Sequence, residues 1–193
     1  MRISSATSAV APHAFQRTLR RNRNSPKRCV AVTSRRLRSG SPPVTEPLDI
    51  DALRESFLGE VFDERSYAVD AKKCVEYALS CGELAPRYTD PNDPDFQAPP
   101  TFPTSFQGGK RLPDGFPKLP GLGMDAGKAV TAMKPIRPGV PLTGRKHLHD
   151  VYTKTGRSGR MVFMVIRLEL FDPDDVPVAT ADTSIVIRER PSE

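Results

Sequence analysis

His147 and His149 are the first residues whose types and spacing suggest chemistry. Two positions apart on a β-strand, their imidazoles would share one face and could bind a metal ion. A metal site in a protein usually takes three or four side-chain ligands, and the sequence suggests no third ligand beside this pair. We therefore interpret both as surface histidines of a strand and expect no metal site.

The three cysteines, Cys29, Cys74 and Cys81, form neither a CxxC pair nor a cluster with histidine. Cys74 and Cys81 would lie two turns apart on one helix, about 10 Å along its axis, which is too far for a disulfide. Free thiols in a reducing compartment are the simplest interpretation. The tripeptide Gly121-Leu122-Gly123 is too short for a phosphate-binding fingerprint unless a strand, a turn and a helix surround it.

The net charge of +6 is unevenly divided along the chain. The first acidic residue is Glu46, and before it stand ten basic residues: Arg2, Arg17, Arg20, Arg21, Arg23, Lys27, Arg28, Arg35, Arg36 and Arg38. The remainder holds 19 basic against 23 acidic side chains and is mildly acidic. It gives no electrostatic reason to expect nucleic-acid binding by the folded part.

Residues 1–45 form a leader that is rich in Arg and Ser and lacks the apolar core of a secretory signal. The reading frame could open too far upstream, with translation starting near Val44 in a bacterial cytoplasm. The leader could instead be a mitochondrial presequence, interrupted by Pro12 and Pro26, or a basic nucleic-acid-binding arm without interleaved aromatic residues. In each case we expect it to be disordered and to lie outside a domain covering residues 46–193.

Two helices are predicted near the start of the domain. Asp49 to Phe57 has an acidic first turn and helical spacing of its apolar residues. After a short strand at Ser66 to Val69, Asp70 is a good N-cap and Gly82 a good stop for a second helix, Asp70 to Cys81. That helix is apolar or small around most of its surface, so we expect it to be buried at the centre of the fold.

The rest of the chain reads as a long loop followed by strands. Residues 83–123 are rich in proline, and a loop of this length in a compact domain is usually functional. Alternating, β-branched runs separated by turn residues then predict four strands in an antiparallel meander: Lys128–Lys134, Leu142–Thr153, Arg160–Phe171 and Pro177–Arg188.

The run from Met161 to Ile166 is the longest apolar stretch, far short of the ~18–20 residues that a membrane-spanning helix needs. It is apolar on both faces, which predicts a central strand covered on one side by the helix Asp70 to Cys81 and on the other by a second subunit. The sequence therefore predicts an α+β fold of the hot-dog class, a curved antiparallel sheet wrapped around a central helix.

Several short motifs, in this order, resemble the MaoC-like dehydratase family, N-terminal-half type, over about Phe62 to Arg188. The family segment G-D-x-N-P-x-H-x-D corresponds to Gly82-Glu83-Leu84-Ala85-Pro86-Arg87-Tyr88-Thr89-Asp90, and A-P-P-T-F to residues 98–102. The family's P-x-R-P-G-D resembles residues 135–139, although Val140 replaces the acid. Residues 158–163 and 178–181 match the last two strands.

The resemblance implies hydration of trans-2-enoyl thioesters or dehydration of (R)-3-hydroxyacyl thioesters. In that family an Asp/His pair activates water and backbone N–H groups polarise the thioester carbonyl. Here Glu83 stands where the Asp would be and Tyr88 where the His would be, while Ala85 lacks the amide of the family's Asn. A phenol with a pKa of about 10 is a poor base at pH 7, so we expect the dyad to be degenerate.

The same resemblance assigns an acyl-binding role to residues after the dyad segment. Pro99, Pro100, Thr101, Phe102 and Phe106 would line an acyl tunnel with the central helix. Three loop cations could meet the phosphates of coenzyme A or could simply be solvated: Lys110, Arg111 and Lys118.

The function that follows is an accessory, acyl-binding subunit of an (R)-specific enoyl-CoA hydratase or 3-hydroxyacyl-thioester dehydratase of fatty acid metabolism, a hydro-lyase without a cofactor. The substrate would be an acyl-CoA or acyl-carrier-protein thioester. The partner would be a second hot-dog subunit with an intact Asp/His dyad, or a second copy of this chain. Two alternatives remain: a hot-dog acyl-CoA thioesterase using Glu83 as base or nucleophile, and a non-catalytic acyl-CoA-binding protein.

Overall fold

The computed structural model describes residues 47–189 except 107, 120, 122 and 158, so the predictions for the leader lie outside the described residues. None of the helices in the described part has the length and apolar character of a membrane-spanning segment. In chain order the elements are helix α1 (Ile50–Phe57), strand β1 (Val61–Tyr67), helices α2 (Ala71–Ser80) and α3 (Pro86–Thr89), a 3₁₀ turn (Phe102–Ser105), and strands β2 (Gly123–Ala132), β3 (Leu142–Gly156), β4 (Gly159–Phe171) and β5 (Pro177–Arg188).

The strands form one antiparallel sheet of five strands in the order β1-β3-β4-β5-β2, with β4 at its centre. The predicted meander is correct for β3, β4 and β5, but it is wrong for β2, which pairs with β5 and not with β3. The connection from β2 to β3 is bonded elsewhere: Ala98 N donates to Ile136 O at 2.8 Å and Gly139 N to Val69 O at 3.0 Å. Because of these bonds, the connection between β2 and β3 crosses the end of the sheet and does not form a hairpin.

The observed strands are longer than the alternation predicts, except β5, which has the predicted bounds. Strand β2 begins at Gly123 and not at Lys128, and β1 begins at Val61 and not at Ser66. The early part of β1 has two charged residues, Asp63 and Arg65, on the face that packs against the interior. The expected pattern of apolar residues at every second position is therefore missing there.

Strand β4 supplies the main apolar surface of the domain. Its inner face carries a row of buried residues: Val162, Met164, Ile166, Leu168 and Leu170. Residues of its opposite face are only partly buried, so the predicted second cover is not part of the described chain. Two core clusters share the inner row, one around Leu168 and Leu170 and the other around Val162, Met164 and Ile166.

Helix α1 covers the second of these clusters from the side of β3. Asp49 caps it, since one carboxylate oxygen accepts hydrogen bonds from Asp51 N and Ala52 N, both at 3.1 Å. Its buried face presents Leu53, with Phe57 partly buried beside it. The predicted helix is thus confirmed, with Asp49 outside it as the N-cap.

Helix α2 has the predicted position but not the predicted burial. Asp70 caps it through Lys73 N at 2.9 Å, and Gly82 follows the C-cap with a φ of 76°. Cys74 and Ala78 are buried on one side, where burial raises the pKa of the Cys74 thiol to about 11. The other side faces solvent, and Leu79 is 53% exposed. The prediction of a helix buried all round is therefore wrong.

The 3₁₀ turn packs on the sheet beside β5 and β2, and α2 packs on the same core cluster through Cys74, with Val75 and Tyr77 partly buried against it. Phe102 and Pro103 are buried there. The Tyr77 ring of α2 meets Phe102 edge-on at 5.4 Å, and its hydroxyl donates to Thr101 O at 3.0 Å. Helix α2 thus packs on the core with one face and exposes the other. The prediction of burial on all sides failed because small residues such as Cys and Ala occur both on helices with one tightly packed face and on helices that are buried all round.

Gly144 allows the close approach of β3 to the core. A Cβ atom there would lie 2.8 Å from Leu168 Cδ1 and 2.9 Å from Tyr67 Cδ2. A buried ring in the sheet cannot move aside without disturbing its neighbours, so overpacking should cost about 1–3 kcal/mol.

We expect Gly144→Ala to lower the free energy of unfolding by that amount in urea denaturation. Gly156→Ala on the same strand is the matched control, because its nearest neighbour, Met161 Cε, would be 3.7 Å from the added methyl. Equal stability of the two variants would contradict the packing described here.

An ionic cluster interrupts the apolar inner face at β1 and β3. The Asp63 side chain is only 9% exposed and accepts a hydrogen bond from Arg65 Nε at 3.2 Å, with Lys146 Nζ 3.3 Å away. Lys146 Nζ also donates to Gly108 O. Burial raises the pKa of Asp63, but hydrogen bonds from Arg65, from the backbone N–H of Lys110 and from Lys146 outweigh it, so this pKa lies below its usual value.

The folded-state pKa of Asp63 lies below the unfolded value of about 3.9. Its ionised carboxylate therefore stabilises the fold at pH values above about 3.9. This contribution is lost as the pH falls through the folded-state pKa. We expect Asp63→Asn to lower the free energy of unfolding by roughly 1–3 kcal/mol at pH 7. The difference from wild type should shrink as the pH falls below about 5. Urea titrations at several pH values measure it, and a pH-independent difference would count against the ionised cluster.

Candidate functional site

The segment that follows α2 is held by its own side chains and backbone. Glu83 N donates to Ala78 O at 2.9 Å, after the turn at Gly82. The Glu83 carboxylate then accepts two hydrogen bonds through the same oxygen, Oε1, from Leu84 N at 3.0 Å and Ala85 N at 2.9 Å. Glu83 therefore fixes the chain just before α3.

Tyr88 lies on α3 with its ring buried. The Arg87 guanidinium lies over the ring, with its central carbon 4.8 Å from the ring centroid. Among the described residues, Glu83 and Tyr88 share no hydrogen bond. The two positions of the predicted dyad are thus present on one short segment, but they do not form an acid–base pair.

A cleft of about 170 Å³ lies next to this segment. One wall is formed by residues 97–100 and the other by residues 132–136, where β2 ends. The walls are joined by the hydrogen bond from Ala98 N to Ile136 O. Ala98 and Ile136 also belong to the core cluster around Leu168 and Leu170, so the floor of the cleft is apolar.

The cleft contains part of the predicted acyl-binding set. Pro99 and Pro100 line it, whereas Thr101, Phe102 and Phe106 do not. Phe102 and Phe106 pack instead in the neighbouring core, with ring centroids 5.3 Å apart.

The dyad segment reaches the cleft only through its backbone, because Gln97 N donates to Arg87 O at 2.9 Å. Gln97 belongs to the cleft wall, but Glu83 and Tyr88 do not. The dyad positions therefore adjoin the cleft through the backbone without lining it.

The second wall of the cleft was not predicted as a binding surface. It includes Ala132 and Met133 at the end of β2 and continues through Pro135 and Ile136. The sequence signal was available in residues 135–139, which were interpreted only as a strand-joining motif. Met133 is 50% exposed, and an exposed apolar side chain beside a proline-rich loop could have indicated a binding surface.

The predicted phosphate-binding cations lie outside the cleft. Lys110, Arg111 and Lys118 are exposed residues of the segment between the 3₁₀ turn and β2. Lys110 forms an ion pair with Asp114. The structure therefore does not bring these cations together with the residues that line the cleft.

The two histidines of β3 contact each other, with ring centroids 5.8 Å apart, at a β-bulge around residue 149. Burial lowers the pKa of His147, and the carboxylates of Glu169 and Asp182 act in the opposite direction. In the described part of the chain no group of three or more His, Cys, Asp or Glu residues could hold a metal ion.

A second, more polar cavity of about 480 Å³ lies at the start of α1. Two basic residues, Arg54 and Arg160, line it. Arg160 forms an ion pair with Glu189, at 2.9 Å between Nη1 and Oε2, and donates to Leu48 O at 3.0 Å. These bonds join both ends of the described chain.

The comparisons with known proteins agree with this architecture. The family model described as FAS1-like, dehydratase domain region, matches residues 56–181. The chain belongs to this dehydratase family, within the MaoC-like hot-dog proteins. The match spans the dyad segment, the cleft and most of the sheet. No curated protein matches the chain significantly.

Solved structures show the same fold at low sequence identity. A MaoC-like dehydratase from Phytophthora capsici is 22% identical with a TM-score of 0.56, and the alignment covers 72% of this chain and 50% of that one. This MaoC-like chain therefore corresponds to half the length of that protein. The truncated HadBC complex of Mycobacterium tuberculosis, a 3R-hydroxyacyl-ACP dehydratase, is 18% identical with a TM-score of 0.51, and the alignment covers 68% of this chain and 97% of that one.

The ChsH1-ChsH2 complex of Mycobacterium tuberculosis is also similar to this MaoC-like chain. Identity is 19% with a TM-score of 0.51, and the alignment covers 68% of this chain and 85% of that one. The predicted hot-dog fold and the family resemblance are thereby confirmed. The site residues remain predictions.

The structural role of Glu83 can be separated from a chemical one. We expect Glu83→Ala to lower the free energy of unfolding by about 1 kcal/mol, since two backbone N–H groups lose their acceptor. Glu83→Gln should retain most of the stability because its amide oxygen can accept the same two bonds. Urea denaturation of both variants tests this, and equal losses would show that the carboxylate charge matters more than the cap.

Proposed function

We propose that this MaoC-like chain is an acyl-thioester-binding subunit of an (R)-specific enoyl-thioester hydratase or 3-hydroxyacyl-thioester dehydratase, and that it does not itself activate water. The observation that carries the proposal is the use of Glu83 as a backbone cap. A general base must reach the proton that it removes, within about 2.6–3.2 Å or through one water. Neither Glu83 nor Tyr88 lines the cleft, and Glu83 Oε1 is engaged by the backbone.

The cleft suits the acyl end of a thioester. Its floor is apolar, and its walls are rich in proline, whose rigid backbone loses little entropy when a ligand binds. Met133 adds an exposed, flexible and polarisable side chain at the rim. The acyl chain length and the carrier, coenzyme A or an acyl carrier protein, are left open by this chemistry.

A partner would supply the missing dyad. Strand β2 is an edge of the sheet, and nearly all of its residues are exposed. Such an edge presents unpaired backbone groups that another strand can bond. The HadBC and ChsH1-ChsH2 structures are complexes, which supports a second hot-dog subunit with intact Asp and His as the partner. A second copy of this chain would lack the dyad as well and is the weaker candidate for an active enzyme.

A non-catalytic acyl-CoA-binding protein is the second candidate, and the same capped Glu83 favours it. It differs from the accessory subunit in having no turnover in any complex. A thioesterase using Glu83 as base or nucleophile is disfavoured, because Glu83 does not line the cleft. We also propose a cytoplasmic location, with the mitochondrial matrix as the alternative.

Purified alone, the chain should bind crotonyl-CoA in calorimetry and should not hydrate it. Met133→Trp should fill the rim of the cleft and weaken binding at least about tenfold, since a misplaced bulky group removes the contacts of the acyl end. Met124→Trp is the matched control, because Met124 is exposed to the same degree, 49% against 50%, but lies outside the cleft.

Three results would overturn the proposal. Robust hydration by the isolated chain that is lost in Glu83→Ala would make Glu83 catalytic. Thioester hydrolysis without hydration would establish the thioesterase. Equal binding by the Met133→Trp and Met124→Trp variants would show that the acyl group binds elsewhere.

A further inference from the structure

The inner face of the sheet extends well beyond the cleft. The cleft residues Ala98 and Ile136 belong to the same core cluster as Leu170, at one end of the buried row of β4. The row continues without a break through Ile166 and Met164 into the second core cluster. An apolar surface therefore runs from the floor of the cleft along the length of β4.

Residues 108–119, which we call the strap, cover the far half of this surface without regular structure. Three of its side chains, Leu112, Phe116 and Leu119, pack partly buried against the second cluster. The Phe116 ring contacts Phe57 of α1, with centroids 5.2 Å apart. The cover is thus made by a few side chains and not by a packed helix.

The backbone of the strap is bonded sparsely. Within the described residues 111–119, one backbone–backbone hydrogen bond is formed, from Phe116 N to Pro113 O at 3.3 Å, and it lies inside the strap. Segments with few buried contacts and few backbone bonds to their surroundings open at a small fraction of the global stability. The strap is therefore the part of the cover that can open while the sheet stays folded.

The ionic cluster on β1 and β3 contacts the N-terminal end of the strap. Lys146 Nζ donates to Gly108 O, and the Asp63 carboxylate lies so close to Gly109 that a Cβ there would clash with Oδ2. The Arg65 guanidinium lies so close that a Cβ at Gly108 would be 2.9 Å from Nη1. Gly108 has a φ of 99°, a backbone conformation that favours glycine. We call the contacts of the ionic cluster with Gly108 and Gly109 the latch. Lys146 is paired with Leu168 across the strands, so the latch lies at the boundary between the two core clusters.

We propose that the strap is released from its latch to admit acyl chains that are too long for the cleft, so that this protein takes medium- to long-chain acyl thioesters. The inference rests on the proposed acyl-thioester function. The closed cleft, at about 170 Å³, is smaller than the roughly 300–1,000 Å³ of ordinary ligand pockets. The additional apolar surface for a longer chain is the one beneath the strap.

The test uses the full-length chain, with trypsin as the probe of the strap. The strap has three cleavable bonds, after Lys110, Arg111 and Lys118, and mass spectrometry resolves each of them from cleavage elsewhere. Dodecanoyl-CoA should accelerate cleavage of these bonds severalfold, whereas butyryl-CoA should leave the rates unchanged. Opening of the strap is what exposes these bonds.

Asp63→Asn weakens the latch, so it should raise the rate of strap cleavage without ligand by about tenfold. The same variant should bind dodecanoyl-CoA more tightly by a similar factor, whereas its affinity for butyryl-CoA should stay constant. Glu64→Gln is the matched control. Glu64 is the neighbouring acid on the opposite face, paired with Arg145 Nε at 2.9 Å, and it does not touch the strap. If Asp63→Asn does not fold, Phe116→Ala loosens the other end of the strap and should give the same cleavage result.

The outcomes separate this inference from the proposed function. If neither thioester binds, the proposed function fails and the inference fails with it. If butyryl-CoA binds, but dodecanoyl-CoA binds no better to the variants than to wild type and leaves strap cleavage unchanged, only the strap inference is overturned. Accelerated cleavage with dodecanoyl-CoA alone, enhanced in Asp63→Asn, supports both.

Discussion

The constraint on which the whole structure depends is the need to cover the inner face of β4. Its side chains Val162, Met164 and Leu170 are fully buried, and burying a side chain of this type stabilises a fold by roughly 1.5–3 kcal/mol. In this chain no single long element among the described residues provides the cover. Helix α1, the 3₁₀ turn with α2 over it, and the strap each cover one part. The joints between these parts are where a ligand can enter.

The ionic cluster under the strap looks unfavourable in such a surface, because charges removed from water lose hydration. It is tolerated because each charge has a partner: Asp63 lies between Arg65 and Lys146, and Lys146 also bonds a backbone carbonyl. The cluster also fixes the strap, which is otherwise held by only a few apolar side chains. Tyr67 lies beside the cluster, and burial raises the pKa of its hydroxyl, for which the described residues provide no hydrogen-bond partner.

The sequence predicted those elements whose local pattern agrees with their final environment. Strand β5 and the caps Asp49 and Asp70 were found because alternation and N-cap chemistry depend on neighbouring residues only. The early part of β1 was missed, because its inward charges become intelligible only when Lys146 is placed opposite Asp63. The pairing of β2 with β5 and the exposure of one side of α2 depend on contacts between distant segments. No periodicity in the sequence encodes them.

The same distinction applies to the candidate site. Glu83, at the position predicted to correspond to the family's Asp, has a carboxylate, and Tyr88 stands at the position predicted for the base. The capping bonds to Leu84 N and Ala85 N give a reason, since an acceptor at position 83 is needed for the chain to enter α3. Tyr88 buries a large ring, which stabilises the segment. Both residues thus stabilise the segment next to the cleft wall, and under the proposed function the acid and base would come from another subunit.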